Sequence, residues 1–409
     1  MAIPRQRVLL SPASWPMVLG ELLTGGLIEG DQVGVLEERF AQYIGSRHAI
    51  AIPSGRAGLK YALESFDLEP GAEIICPAFT YPIVPFVIEA LGFRPRFVDI
   101  RLPELGLDPE LLAQAITPQT RGIIPTHLFG VPCDIEPIMA IARDKGLRVI
   151  EDCAHCCGAK VGDTLAGAFG DVGYFSFETS KCINALGGGM LTTSDDQLAE
   201  KLRHARDQGS LPKTSKILKR LAKSTFEALV TLPPLFSLGV YPALRLLSMV
   251  KKSEDVLGSA YVGSDINMKG RSDQFTNYQA RLALPQLEGI TALNAERTRT
   301  AQSLSQALSG ALPIHAPVAP HHTPNWLLFS ALVPNLGEMS HKLLAQGIDT
   351  KRHYMRDCTA IFTTDDHCPT SQRADRELIH LPSYPGLSED NLQRIAATLK
   401  GILQEGSPQ

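Results

Sequence analysis

The chain has 409 residues, of which 44 % are hydrophobic and 20 % charged. That is an ordinary globular composition, long enough for two domains with sizeable cores. A formal net charge of −4 gives no general electrostatic pull toward nucleic acid, and no nucleic-acid partner is expected.

The opening residues, MAIPRQRVLLSPASWP, lack the continuous apolar core of a signal peptide. The eight cysteines are therefore read as reduced thiols of a cytosolic protein. Cys153, Cys156 and Cys157 crowd around His155, which raises the question of a metal site. Adjacent Cys156 and Cys157 do not form the paired C-x2-C knuckles of a structural zinc site, so no metal is expected. The cysteines read instead as filling for a buried strand end.

From residue 48 to about 207, short apolar runs alternate with helix-like segments. Strands are predicted at His48–Pro53, Glu73–Phe79, Arg94–Ile100, Gly122–Phe129, Arg148–Cys153, Gly173–Phe177 and Met190–Thr193. Amphipathic stretches at Ala57–Ser65, Ile83–Ala90 and Ile135–Lys145 lie between the early ones. This alternation predicts an α/β fold with a mainly parallel sheet and helices on both faces. In such folds ligands gather at the carboxyl ends of the strands, where Ser54-Gly55, Thr80-Tyr81, Glu151-Asp152 and Ser176 fall.

Residues 210–262 fit neither part of this scheme. A basic stretch holds Lys213, Lys216, Lys219, Arg220 and Lys223, the last four on one face if helical. A charge-free run from Ala228 to Leu244 follows, broken by Pro233, Pro234 and Pro242, and then come Arg245, Lys251 and Lys252. Three prolines argue against a straight membrane span. An apolar segment with basic flanks suits a membrane interface; packing on the protein or on a second subunit is the other reading.

The last third predicts a smaller α+β domain. Its elements are a long helical stretch from about Gln274 to Ser309, a strand at Trp326–Val333, a helix at Glu338–Gln346, a strand at Leu378–Pro382 and a final helix at Glu389–Leu403. The domain division expected is 1–275, carrying the insertion, and 276–409.

Chemistry concentrates around Lys181 in DVGYFSFETSKCINALGGGM, Asp171 to Met190, where a lysine follows a strand and precedes a glycine triplet. Arg148–Ile150 leads into Glu151-Asp152, a carboxylate at the sheet's ligand edge. Pyridoxal phosphate needs an anion beside its ring nitrogen, because the protonated ring is an electron sink. In PSGRAGL, Pro53 to Leu59, a strand turns into a helix whose N–H groups and positive end can hold a phosphate. Ser176 can add a hydroxyl to that phosphate. Phosphate turn, carboxylate, serine and lysine, in that order, are what a fold-type-I pyridoxal-phosphate enzyme requires.

The chain resembles the DegT/DnrJ/EryC1/StrS family of pyridoxal-phosphate-dependent sugar aminotransferases. The likeness runs through GLIEGDQVGVLEERFAQYIGSRHAIAIPSGRAGL, CPAFTYP, FVDI, AITPQTRGIIPTHLFGVPCDIEPIMAIARDKGLRVIEDCAH, GAFGDVGYFSFETSK, GIDTKRHYM and LPSYPGLSEDNLQRI. The resemblance implies that Lys181 is the Schiff-base lysine and that Asp152 pairs with the pyridine nitrogen. It further implies that Tyr81 stacks on the ring, that His155 lies near the ring hydroxyl, and that Gly55, Arg56 and Ser176 bind the phosphate. His353 and Arg56 are substrate candidates, His353 with packing as its other reading; Glu151 has an alternative as part of a buried structural pair.

Three departures from the family pattern stand out. Arg56 replaces a common threonine or serine, and arginine can grip a substrate acid group bidentately as well as a phosphate. Leu186-Gly187-Gly188-Gly189 replaces a common GEGG. Ser272 and Gln274 replace the N-x-R pair that ordinarily makes a cross-subunit phosphate contact.

The resemblance implies ping-pong transfer of an amino group from a glutamate-like donor to a keto-sugar, usually nucleotide-linked, in polysaccharide biosynthesis by a homodimer. Three alternatives are carried. One is amination of a non-sugar or lipid-linked carbonyl at the inner face of the membrane, motivated by 210–262. Another is sugar dehydration, against which Lys181 argues because those family members have histidine there. The last is a non-catalytic regulatory member of the fold.

Overall fold

The computed structural model describes residues 1–11, 13–250, 273–352 and 354–405. Seven strands build the main sheet: β1 (His48–Ile52), β2 (Glu73–Pro77), β3 (Arg94–Val98), β4 (Thr120–Ile123), β5 (Arg148–Asp152), β6 (Val172–Ser176) and β7 (Gly189–Thr193). Their order is β1-β7-β6-β5-β4-β2-β3. Pairing is parallel from β6 to β3, while β7 runs antiparallel to both β1 and β6.

The strands are apolar on both faces because both faces are covered. Side chains alternate across the sheet, so Ile50 and Ile52 of β1 face one core and Ala49 and Ala51 the other. The first core also takes Leu59 and Leu63 of α3 (Gly55–Ser65), together with Val87, Leu198 and Leu202. On the second side Leu36 and Phe40 meet Phe175, Met190 and Leu287, and Ile138 packs on Ile75, Ile123 and Val149.

All seven expected strands form, one of them much shortened. The predicted Gly122–Phe129 strand ends at Ile123. Pro125 cannot donate to a ladder, and Phe129 turns to φ 54° inside a single turn of 3-10 helix, Leu128–Gly130. The long helix predicted over 274–309 is two helices, Asn277–Glu288 and Ile290–Leu308, with a break at Gly289. Thr276 caps the first through a reciprocal bond with Gln279.

A second, antiparallel sheet joins Phe329–Leu332, Leu378–Leu381 and the short strand Lys351–Arg352, in that order. Leu343, Leu392, Ile395 and Leu399 cover it. The N-terminal residues dock here as well. Ile3 pairs with Ile348 and joins this core, and Arg5 grips Asp349 through two bonds of 2.6 and 2.7 Å.

The insertion forms α8 (Thr214–Val230) and a second helical run, Pro233–Val250, whose middle turn, Phe236–Val240, is widened into a π-helix. The two are bent by 74°. Ile217, Leu221 and Phe236 are buried against the protein. The four basic residues expected on one face divide. Lys216 pairs with Asp273 and Arg220 is half-buried, while Lys219 and Lys223 are exposed. The buried stripe Ile217–Leu221–Ser224 runs beside Lys216 and Arg220, which draws these two against the body. All eight cysteines are buried free thiols.

Candidate active site

The carboxyl edge of the parallel strands gathers the predicted residues. β1 ends at Ile52, and Ser54 then caps α3, its Oγ accepting from the Ala57 N–H at 3.2 Å. Gly55 and Arg56 therefore occupy the first helical turn, where N–H groups point outward and the dipole favours an anion. Ser176, at the end of β6, stands beside Gly55: a Cβ on Gly55 would lie 3.5 Å from that of Ser176. The helix terminus that Gly55 and Arg56 open and the Ser176 side chain thus meet at one corner.

Asp152, at the end of β5, is 7 % exposed. It accepts from the Ala154 N–H at 3.0 Å and from the Tyr174 hydroxyl. Burial pushes its carboxyl above the ordinary value, against the pull of those two bonds and of positive Lys181. Such a carboxylate favours a cationic partner, as a protonated pyridine nitrogen would be. Close by, Thr126 bridges to Asp152 through the backbone, and its buried hydroxyl has no partner among the described residues; neither has that of Thr80. Polar groups left unmet at a ligand edge fit a missing polar group.

Glu151 faces the other way. It is fully buried and accepts from the N–H groups of Gly167, Phe169 and Gly170 at 2.7–2.9 Å, with His127 at 3.1 Å. It ties down the 167–170 loop, which is the structural alternative set out for it.

Lys181 lies after β6 in a turn held by its own N–H to the Glu178 carbonyl. Its Nζ is 3.0 Å from the Tyr354 hydroxyl. His155 Nε2 is 2.7 Å from the same hydroxyl, while His155 Nδ1 accepts from the Phe129 N–H. The accepting Nδ1 puts the ring proton on Nε2, so His155 donates to Tyr354. Burial first, and then Lys181, hold His155 well below its ordinary value and therefore neutral. Tyr81 packs edge-on to Tyr354, ring centroids 5.6 Å apart.

The glycine triplet is conformationally required. Leu186, Gly187 and Gly188 have φ of 59°, 112° and 89°, a region that favours glycine. A Cβ on Gly188 would enter the Phe275 ring, and one on Gly189 the Phe175 carbonyl. Over Gly187 stand Arg220 of α8, 3.3 Å from a built Cβ, and Glu178 at 3.6 Å. The insertion therefore reaches the loop that follows Lys181, at the place where the family commonly has glutamate.

Lys181, Asp152, Tyr81, His155, Ser176, Gly55 and Arg56 thus share one edge. His353 and Ser272 lie outside the described residues. Gln274 is turned back on its own chain, its side-chain amide donating to the Gly209 carbonyl at 3.0 Å. Sequence reasoning missed Tyr354 and Lys351, although both stand in the GIDTKRHYM stretch beside the residue it chose.

A mainly parallel sheet with a lysine, a buried aspartate and a helix N-terminus at its ligand edge defines the class: a fold-type-I, pyridoxal-phosphate-dependent aminotransferase. The family model of the DegT/DnrJ/EryC1/StrS aminotransferase family matches residues 16–400, and the chain belongs to that family. It is 31 % identical over 399 residues to a UDP-N-acetyl-3-dehydro-α-D-glucosamine 3-aminotransferase of Acidithiobacillus ferrooxidans, covering 94 % of each chain. Among solved structures it is similar to DesV of S. venezuelae, with a TM-score of 0.77, 25 % identity and coverage of 98 % of this chain and 99 % of that one. It shares its fold with PseC of Helicobacter pylori, with a TM-score of 0.78, 18 % identity and coverage of 99 % and 100 %.

Proposed function

We propose that this aminotransferase moves an amino group from a glutamate-like amino acid to the ketone of a nucleotide-linked sugar. The observation that carries the acceptor is the full-length likeness to the Acidithiobacillus enzyme, whose name specifies a UDP-linked 3-keto-sugar.

In this reading Lys181 holds the cofactor, Asp152 faces its ring nitrogen, Tyr81 covers the ring, and Gly55, Arg56 and Ser176 hold its phosphate. His155 stands near the ring hydroxyl. The cofactor, when bound, supplies a carbonyl for the incoming amine and an electron sink. The chain's own residues do the rest. Lys181 Nζ, when not bonded to the cofactor, would be placed to move a proton at the substrate carbon as general base and acid. The Tyr354 hydroxyl, oriented by neutral His155, steers that nitrogen. Asp152 keeps the opposing ring nitrogen protonated.

The reading includes a division into domains at 1–275 and 276–409, a homodimer with its site at the subunit boundary, and a cytoplasmic setting. Sedimentation at micromolar concentration tests the dimer, and a single species of 44.4 kDa would remove it. The acceptor is tested by a half-reaction screen against enzyme loaded with pyridoxamine phosphate. Nucleotide-linked keto-sugars restore the pyridoxal absorbance; restoration by lipid-linked or simple ketones alone overturns the assignment.

A specific observation favours contact with an anionic membrane through the insertion. No single described helix is long and apolar enough to cross a bilayer. Yet Phe226, on the same helix as exposed Lys219 and Lys223, and Leu238, Leu246 and Met249 of the second run are 66–82 % exposed. Trp15 joins α1 (Ser14–Thr24) to this surface through Thr225 at 2.9 Å, and Leu19 and Leu23 of α1 are exposed too. Apolar side chains with lysines beside them suit the headgroup region.

A further inference from the structure

The ring of Tyr354 carries two ammonium groups, only one of which the reaction above employs. Lys181 Nζ lies 5.4 Å from the ring centroid and Lys351 Nζ 5.1 Å from it. Lys351 comes from the short edge strand of the small sheet, paired with His380. Its ammonium donates to the Gln6 side-chain carbonyl at 3.3 Å. Among the described residues no carboxylate stands in ion-pair range of it: the nearby Asp349 is taken up bidentately by Arg5.

A half-buried lysine without a counter-charge is a costly arrangement. Burial, the positive Lys181 and then Arg5 lower the Lys351 ammonium to about 8. An anion brought in by a ligand relieves that cost, and the position restricts which anion. The amino nitrogen and α-carboxylate of an amino acid are bonded to the same carbon. When the amine reaches the cofactor at Lys181, the carboxylate must lie within a few ångströms of it. Lys351 is the second cation on the ring against which Lys181 rests. Arg56 opens α3 at the phosphate corner, and Arg5 is already paired.

We propose that Lys351, held by Gln6 and the Tyr354 face, is the subsite for the α-carboxylate of the amino donor. The inference rests on the aminotransferase reading and adds the residue that recognises one of its two substrates. Lysine suits the task as a point charge on a flexible stem, able to engage the carboxylate and release it when the keto-acid leaves.

The test resolves the two half-reactions spectroscopically in wild type, Lys351→Met and Lys351→Arg. Loss of a charge-assisted bond is expected to raise the apparent Kd for glutamate roughly tenfold to hundredfold in Lys351→Met. Lys351→Arg should recover most of the loss, and the acceptor half-reaction should change less than about threefold. If the acceptor arm weakens instead, Lys351 meets a sugar-nucleotide phosphate and the assignment is overturned. Equal weakening of both arms makes it a support for Tyr354 and also overturns it, as does no change in either. Should Lys351→Met fail to fold or to bind cofactor, Lys351→Gln and Gln6→Ala supply the same comparison. Wild type that reacts with no amino donor removes the proposed function itself, which distinguishes that failure from failure of the subsite.

Discussion

The floor of the main sheet and the insertion at 214–250 treat their unmet requirements in opposite ways. In the floor, apolar residues are buried on both faces, and what is left over is polar: the hydroxyls of Thr80 and Thr126 and a buried Asp152 that favours a cation. In the insertion, Ser224 Oγ and Arg245 Nη1 are also buried without a partner among the described residues, but the larger surplus is apolar and exposed: Leu238, 82 % exposed, with Phe226, Leu246 and Met249. The first kind of surplus points to a small polar ligand, the second to an extended apolar surface. Arg220 brings the two regions together at Gly187, in the loop after Lys181.

The largest effect is expected within the floor itself. Asp152→Asn is expected to lower turnover by roughly 100-fold or more, because a neutral amide no longer holds the ring nitrogen protonated. Chemical unfolding should leave its stability near that of wild type. An active Asp152→Asn enzyme would show that the buried carboxylate is structural.

Its sequence neighbour should behave in the opposite way. Glu151→Gln leaves buried N–H groups of the 167–170 loop facing an amide. A loss of about 3 kcal/mol in stability is expected, read by denaturant titration. Unchanged stability would remove the distinction between adjacent carboxylates.

The smallest stability effect belongs to the insertion. Leu238→Lys combined with Leu246→Lys is expected to shift stability by no more than about 0.5 kcal/mol, since both positions are exposed. The same pair should abolish flotation with vesicles rich in anionic lipid. Flotation equal to wild type would sink the membrane reading.

Most of this was legible in the sequence, for reasons that differ by element. Strands such as β5 announce themselves because burial on both faces demands a continuous apolar run, and Asp152 then falls at the ligand edge by position alone. The break at Gly289 was hidden, because a helical apolar pattern continues on either side of it. Lys351 and Tyr354 were hidden for another reason. They reach the site through the packing of the small sheet against the main one, and no local periodicity encodes that approach. The division of the basic residues on α8 was also invisible, since it depends on Asp273 and on the buried stripe beside Lys216 and Arg220.

Of the two lysines on the Tyr354 ring, Lys181 and not Lys351 is the one proposed to carry the cofactor. Reduction of the coloured protein with borohydride, followed by peptide mass mapping, tests it directly. A phosphopyridoxyl adduct is expected on the peptide containing Lys181 and none on the peptide containing Lys351. An adduct at Lys351, or a coloured protein that yields no lysine adduct, would contradict it.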